Sequence, residues 1–166
     1  MKTVLLIRHA KSSWGDLNLP DFDRPLNSRG KADAPKMAKR IYEKEIIIDS
    51  FISSPAKRAK KTAEIFAEQY HIKKTEILFV PDLYHANDGI FYETIANAPE
   101  KSDSLAIFSH NPGITDFANK LTTTRIDNMP TCSIFAVTAD ITRWSEFELA
   151  VKELYFFDFP KSANSD

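Results

Sequence analysis

The stretch Thr3-Val4-Leu5-Leu6-Ile7-Arg8-His9 constrains the rest of the chain most. A short, unbroken apolar run closed at once by polar residues is the pattern of a strand covered on both faces, the usual state of a parallel sheet. Such a strand needs helices above and below it. In open α/β sheets, reactive groups gather just beyond the carboxyl ends of the strands, which is where Arg8 and His9 fall. A second segment repeats the arrangement. Leu105-Ala106-Ile107-Phe108-Ser109 is another buried-strand run and ends in His110. Asn111-Pro112-Gly113 follows it, then a helical spacing of Ile114, Phe117, Ala118 and Leu121. Two strands of one parallel sheet thus bring a histidine each to the same edge.

The chain around these runs alternates strands with helices. Residues 11–27, with Trp14, Gly15, Pro20, Phe22 and Pro25, read as an irregular loop, and loops this long inside a domain are usually functional. Asn27 or Ser28 is placed to cap a helix running to about Lys44, with an apolar stripe of Ala34, Met37, Ala38, Ile41 and Tyr42. Pro35 is expected to bend or restart it. Residues 46–53 predict a strand interrupted near Asp49-Ser50, and Ser54-Pro55 predicts the start of a helix carrying Ala59, Ala63, Phe66 and Tyr70 on one face. A short strand over 76–80 and a helix over 90–98, burying Phe91, Thr94, Ile95 and Ala98, come next. Strands over 133–138 and 152–159, joined through a polar turn region near Thr142-Arg143, are expected at a sheet edge, and 161–166 reads as a frayed tail. The expectation is one domain over 1–160, an α/β fold built as a three-layer α/β/α sandwich around a mostly parallel sheet.

Composition narrows the function classes. With 166 residues the chain supports one domain with a proper core. Its 22 basic and 23 acidic side chains leave no basic excess for nucleic acid or an anionic membrane surface. The single cysteine, Cys132, excludes a disulfide framework and fits a reducing, cytoplasmic setting. No apolar run is long enough for a signal-peptide core or a membrane span. Cys132 has no arginine six residues on, which sets it apart from cysteine-phosphatase nucleophiles. Only four glycines are present, too few for most nucleotide-binding fingerprints, and no Gly-x-Ser-x-Gly elbow occurs.

Four residues carry the chemistry: Arg8, His9, Arg58 and His110. Arg58 lies about one turn into the helix expected to open at Ser54, roughly 6 Å past its start. It therefore sits near the edge that holds the histidines. Helix N-termini and arginine forks both match phosphate oxygens. A neutral imidazole is a competent nucleophile toward phosphorus. Phosphoryl transfer asks mainly for alignment and charge stabilisation, which this set supplies. Paired histidines also suit zinc, but that site needs His85 or an aspartate as a third ligand, and two arginines beside a dication are unfavourable. No metal and no cofactor are expected.

These residues stand in motifs that resemble a known family. Arg8-His9-Ala10 resembles the Arg-His-Gly signature of the histidine phosphatase superfamily, the phosphoglycerate-mutase-like fold. Ser53-Ser54-Pro55-Ala56-Lys57-Arg58-Ala59-Lys60-Lys61-Thr62-Ala63 resembles its second signature, whose arginine binds phosphate, and His110 matches its second histidine. Arg8-His9-Ala10-Lys11-Ser12, Asp23-Arg24-Pro25-Leu26-Asn27 with Arg29-Gly30, and His110-Asn111-Pro112-Gly113 together resemble the small SixA-type phosphohistidine phosphatases. The resemblance implies that His9 attacks phosphorus and is transiently phosphorylated. Arg8, Arg58 and His110 hold the transferring group, and water then releases phosphate.

One departure bears on the substrate. Many superfamily members carry a carboxylate as general acid, after the third strand or directly after the second histidine. Here Asn111 follows that histidine, and the position resembling the usual glutamate holds His85, the candidate proton donor, with Asp82 and Asp88 as alternatives. A histidine imidazole leaves well without a strong acid, its conjugate acid having a pKa near ~6.5. The missing carboxylate and a phosphohistidine substrate therefore fit together. The short stretch between Tyr70 and Ser104 leaves little to roof the site, which fits a phosphorylated side chain on a protein partner. The rival readings are a phosphatase for small phosphomonoesters and a non-catalytic phosphoprotein-binding module. Lys11, Ser12, Arg24 and Arg29 either shape the substrate side or pin the long loop. Trp14 and Phe22 are expected to anchor that loop in the core, Lys57, Lys60 and Lys61 to form a solvated helix face, and His71 to lie on the surface.

Overall fold

The first apolar run forms strand β1 (Lys2–Arg8) in a computed structural model that describes residues 1–161. Apart from Lys161, the tail expected to fray lies outside the described residues. Val4, Leu5, Leu6 and Ile7 are wholly buried, as an unbroken apolar run requires. Strands β2 (Ser50–Ser53), β3 (Leu78–Phe79), β4 (Ser104–Ser109), β5 (Ile134–Ala139) and β6 (Lys152–Asp158) complete one sheet in the order β3-β2-β4-β1-β5-β6. The first four strands of that order run parallel, and β5 and β6 are antiparallel additions. Only β6 is an edge strand of the final pair; β5 lies between β1 and β6.

Among the described residues, four α-helices cover the two faces: α1 (Ser28–Glu43), α2 (Lys57–Gln69), α3 (Asp88–Ala96) and α4 (Gly113–Leu121). Because side chains alternate along a strand, β1 contributes to both layers. Val4 and Leu6 pack with Leu105, Ile107, Phe91 and Phe117 on the α3/α4 side. Leu5 and Ile7 pack with Phe108, Met37, Ile41 and Phe66 on the α1/α2 side. The three-layer α/β/α sandwich with a mostly parallel sheet is thus the observed fold.

Local departures from expectation have specific causes. The strand expected over 46–53 begins only at Ser50. The Asp49 carboxylate accepts from the backbone N–H groups of Asp103 (2.9 Å) and Ser104 (3.0 Å) and from Ser104 Oγ (3.1 Å), so its side chain occupies donors beside the one backbone bond, Asp49 N to Ser104 O. Helix α1 does not restart at Pro35, which lies inside it, and Asn27 Oδ1 caps it by accepting from Gly30 N at 2.9 Å. Helix α3 runs earlier than expected, with Asn87 as its cap. The region after Thr142-Arg143 contributes Trp144 and Phe147 to the core, which makes it more than a polar turn. Among the described residues no helix is long and apolar enough to cross a membrane.

Register aligns the strand ends. Arg8 lies opposite Ser109, and Ser53 opposite Phe108. The ladder continues one step further, with His9 N donating to Ser109 O (3.2 Å) and Ser54 N to Phe108 O (2.9 Å). His9, Ser54 and His110 therefore leave three adjacent parallel strands at the same level.

Candidate active site

The two histidines meet at that edge, their ring centroids 5.0 Å apart. His9 is buried, and its Nδ1 lies 2.8 Å from the carbonyl oxygen of Ala10. A carbonyl only accepts, so Nδ1 carries the proton and Nε2 keeps its lone pair. Arg58 Nε donates to that Nε2 at 3.3 Å. Burial pushes the pKa of His9 down to about 3; the Ala10 bond opposes the shift, and the charges of Arg58, Arg8 and Arg24 add to it. The ring is held neutral, with one defined nucleophilic nitrogen.

His110 is fixed from behind. Its Nε2 lies 2.8 Å from Ser54 Oγ, which also accepts from Ala56 N at 3.2 Å. The other ring nitrogen of His110, Nδ1, is buried and has no hydrogen-bond partner among the described residues. Burial first, then His9 and Arg58, lower its pKa to about 2. Serving His110 also explains why α2 does not start at Ser54-Pro55. The Ser54 hydroxyl is turned toward the histidine, and the helix opens at Lys57 without a side-chain cap. Arg58 consequently sits in the first turn of α2. Thr62, one turn on, donates to Arg58 O (2.8 Å) and accepts from Ala10 N (3.0 Å), tying that turn to the residue after His9.

The arginines are placed by different means. Arg8 donates through Nη1 to Met129 O at 2.8 Å, while its buried Nε has no partner among the described residues. Burial and the nearby Arg58 lower its pKa. The unpaired Nε–H of Arg8 is a donor that an oxyanion would satisfy, as is His110 Nδ1 in the tautomer that protonates it. Arg58 reaches the other way. Its Nη1 donates to Asp21 O (2.7 Å) and its Nη2 to Asp21 Oδ2 (2.9 Å).

Asp21 opens the short 3-10 turn Asp21–Asp23 in the long loop. Its carboxylate also accepts from Arg24 Nη1 (2.8 Å) and Tyr84 Oη (2.6 Å). The Tyr84 bond above all, with Arg24 and Arg58, holds this carboxyl well below the usual carboxylate range. Tyr84 in turn stands edge-on to His110, with centroids 5.5 Å apart. The sequence reading missed Asp21 and Tyr84, and it took Ser54 for a cap. The one available signal was the length of the loop; no motif marks Asp21 within it.

The structure brings His9, Arg8, Arg58 and His110 together and leaves other candidates outside. His85 is exposed, its ring tilted against that of Tyr84 with centroids 4.0 Å apart, and lines a cleft beside His110 and Asn111. Asp88 is engaged by Lys120, and Asp82 faces a separate pocket with Ile52 and Val80. Arg24 pins the loop, donating to Ser13 O (3.0 Å), Ser12 Oγ and Asp21. Arg29 pairs with Asp33 on α1 (3.4 Å), and Lys11 is exposed. Trp14 and Phe22 are not core anchors: they are 66% and 38% exposed. Trp14 lies 3.4 Å from the Arg24 guanidinium and Phe22 stands edge-on to Tyr84 at 5.2 Å, while the loop enters the core through Leu26 instead. Lys57, Lys60, Lys61 and His71 are exposed, and Cys132 is buried with its thiol pushed up by burial. Among the described residues no cluster of three or more His, Cys, Asp or Glu is arranged to hold a metal ion.

Known proteins resemble this chain in sequence and in fold. The histidine phosphatase superfamily (branch 1) profile matches residues 4–84. An uncharacterized chloroplastic protein of Arabidopsis thaliana is 31% identical over 87% of this chain and 70% of its own length. The uncharacterized phosphatase PhoE of Bacillus subtilis is 37% identical over 46% of this chain, which spans only 40% of it. The fold is shared with the protein histidine phosphatase SixA solved with tungstate, at a TM-score of 0.78 and 21% identity, covering 95% of this chain and 97% of that one. With its histidines and arginines at the ends of the strands those matches span, this chain belongs to the histidine phosphatase superfamily.

Proposed function

We propose that the chain is a phosphatase that removes phosphate from phosphohistidine in a protein, through a phosphohistidine intermediate on His9. The observation that carries this is the state of His9: a buried, neutral imidazole whose Nε2 lone pair faces Arg58, with Nδ1–H fixed on Ala10 O. In the first step Nε2 attacks phosphorus and the bond to the leaving group breaks. The positive charge that His9 acquires is held by the Ala10 carbonyl. Arg8, Arg58 and His110 Nδ1–H are the donors for the phosphoryl oxygens. Water then attacks phosphorus, and the P–N electron pair returns to Nε2.

The substrate class rests on what surrounds the nucleophile. The carboxyl bonded to Arg58, Asp21, is held ionised by Tyr84 and two arginines, and Asp88, in the cleft beside His110, is engaged by Lys120. A neutral imidazole needs no proton to depart, whereas an alkoxide does. The SixA fold neighbour supports the same reading. His85, at the rim, is the candidate donor for substrates that do need one. The test measures phosphate release from a phosphohistidine-bearing protein and from p-nitrophenyl phosphate, with wild type and His9→Ala. Release mainly from the phosphoprotein, lost in the variant, is expected. Turnover of the small ester alone would move the assignment to phosphomonoesters, and binding without turnover of either would indicate a phosphoprotein-binding module.

A further inference from the structure

Asp21 is the carboxylate that joins the site's Arg58 to Tyr84, and its bonding is asymmetric. Oδ2 accepts from both Arg58 Nη2 (2.9 Å) and Tyr84 Oη (2.6 Å), whereas Oδ1 accepts from Arg24 Nη1 (2.8 Å). The side chain is about half exposed, and Oδ1 carries the one bond from Arg24, which leaves it capacity to accept another. A fixed negative charge beside a phosphate pocket is costly for an anionic ester. It suits a leaving group that brings a positive N–H.

We propose that Asp21 is the specificity residue that recognises the leaving imidazole, accepting a hydrogen bond from the ring N–H of the phosphorylated histidine. This rests on the phosphohistidine reading above. A phosphoimidazole protonated on its distal nitrogen is already activated. When the P–N bond breaks, the electron pair returns to the ring nitrogen and a neutral imidazole departs, its distal N–H intact. No proton has to be delivered, only held, and an ionised carboxylate holds it best. His9 shows the same device on the enzyme side, where the Ala10 carbonyl holds the distal N–H of the ring that takes up phosphorus. Donor and acceptor imidazoles would then each have an acceptor behind them, Asp21 for one and Ala10 O for the other. Arg24 and Tyr84 position Asp21, one bonding each carboxylate oxygen.

The experiment compares kcat/KM for a phosphohistidine protein with kcat/KM for p-nitrophenyl phosphate in wild type, Asp21→Asn and Asp21→Glu. Asp21→Asn is expected to lower the ratio of the two on the order of tenfold or more, the worth of one hydrogen bond to a charged group. Asp21→Glu is expected to restore part of it. A ratio within about twofold of wild type, however far both rates fall, would overturn the proposal and assign Asp21 to holding Arg58 alone. A second measurement needs no variant. Wild type should accelerate hydrolysis of N-phosphoimidazole more than that of its analogue methylated on the distal nitrogen, each relative to its uncatalysed rate; equal acceleration also overturns it. If wild type releases no phosphate from phosphohistidine at all, the functional reading fails first and takes the specificity role with it.

Discussion

A single deprotonated nitrogen decides what this site can do. His9→Ala is expected to abolish phosphate release, because no neighbouring group offers an equivalent nucleophile; retained activity in a purified variant would refute the covalent route. Arg58→Ala should cost on the order of 10³-fold in kcat, the low end for an arginine that stabilises transferring phosphoryl. His9 itself should stay neutral well below the pH at which an ordinary histidine titrates, since burial lowers its pKa to about 3. Following its ring carbons by NMR from pH 8 to pH 5 should show no titration, and a midpoint near 6.5 would show that the ring is solvated. Ser54→Ala probes the partner histidine. Losing the hydroxyl 2.8 Å from His110 Nε2 frees that ring to flip or to change tautomer, and a fall in kcat of roughly tenfold is expected, the worth of one buried hydrogen bond.

Elements bring these residues together, and some of them meet with no room to spare. A Cβ on Gly113, the first residue of α4, would lie 2.2 Å from the carbonyl oxygen of Ala86. That backbone belongs to the segment after Tyr84 and His85. Ser109 Oγ, donating to Leu83 O at 2.8 Å, pins the same segment to the end of β4. Gly113→Ala must therefore push α4 or the Tyr84 segment outward. A loss of about 1–3 kcal/mol is expected, the usual cost of overpacking, read as a lower urea midpoint with unchanged slope. Much of this scaffold is legible in the sequence because its signals are local. Val4 to Ile7 and Leu105 to Ser109 mark buried strands by their unbroken apolar character, and the residues closing them are the two site histidines. Asn27 marks a helix start by its cap chemistry. Ser54 misleads for the same reason: it has the chemistry of a cap, but a histidine 56 residues away takes its hydroxyl. Asp21 and Tyr84 could not be found, since they are 63 residues apart and meet only through the fold. Trp14 carries no pattern that tells stacking on Arg24 from burial in the core.

At the scale of the whole molecule, holding two uncharged histidines in one buried site links stability to pH. Both folded pKa values lie below the unfolded value of 6.5, at about 3 for His9 and about 2 for His110, with burial as the first cause in each case. Below pH 6.5 the unfolded chain binds protons that the native state refuses, so stability is full above that pH and falls as pH drops through this window. At pH 5 the unfolded ensemble gains about 2 kcal/mol per such histidine, an appreciable part of the marginal stability of a domain this size. Asp21 also has a lowered pKa, but its loss belongs to a more acidic window, below its unfolded value of 3.8, so the two effects separate. Urea unfolding between pH 8 and pH 5 should therefore show a fall in wild type that is shallower by about 2 kcal/mol in His110→Gln, whatever that substitution does to stability at pH 8. Glutamine cannot titrate, so the difference in slope isolates the histidine. Parallel curves for the two proteins would mean that His110 takes up its proton in the folded state as readily as in the unfolded one. The uncharged pair at the strand ends would then be wrong.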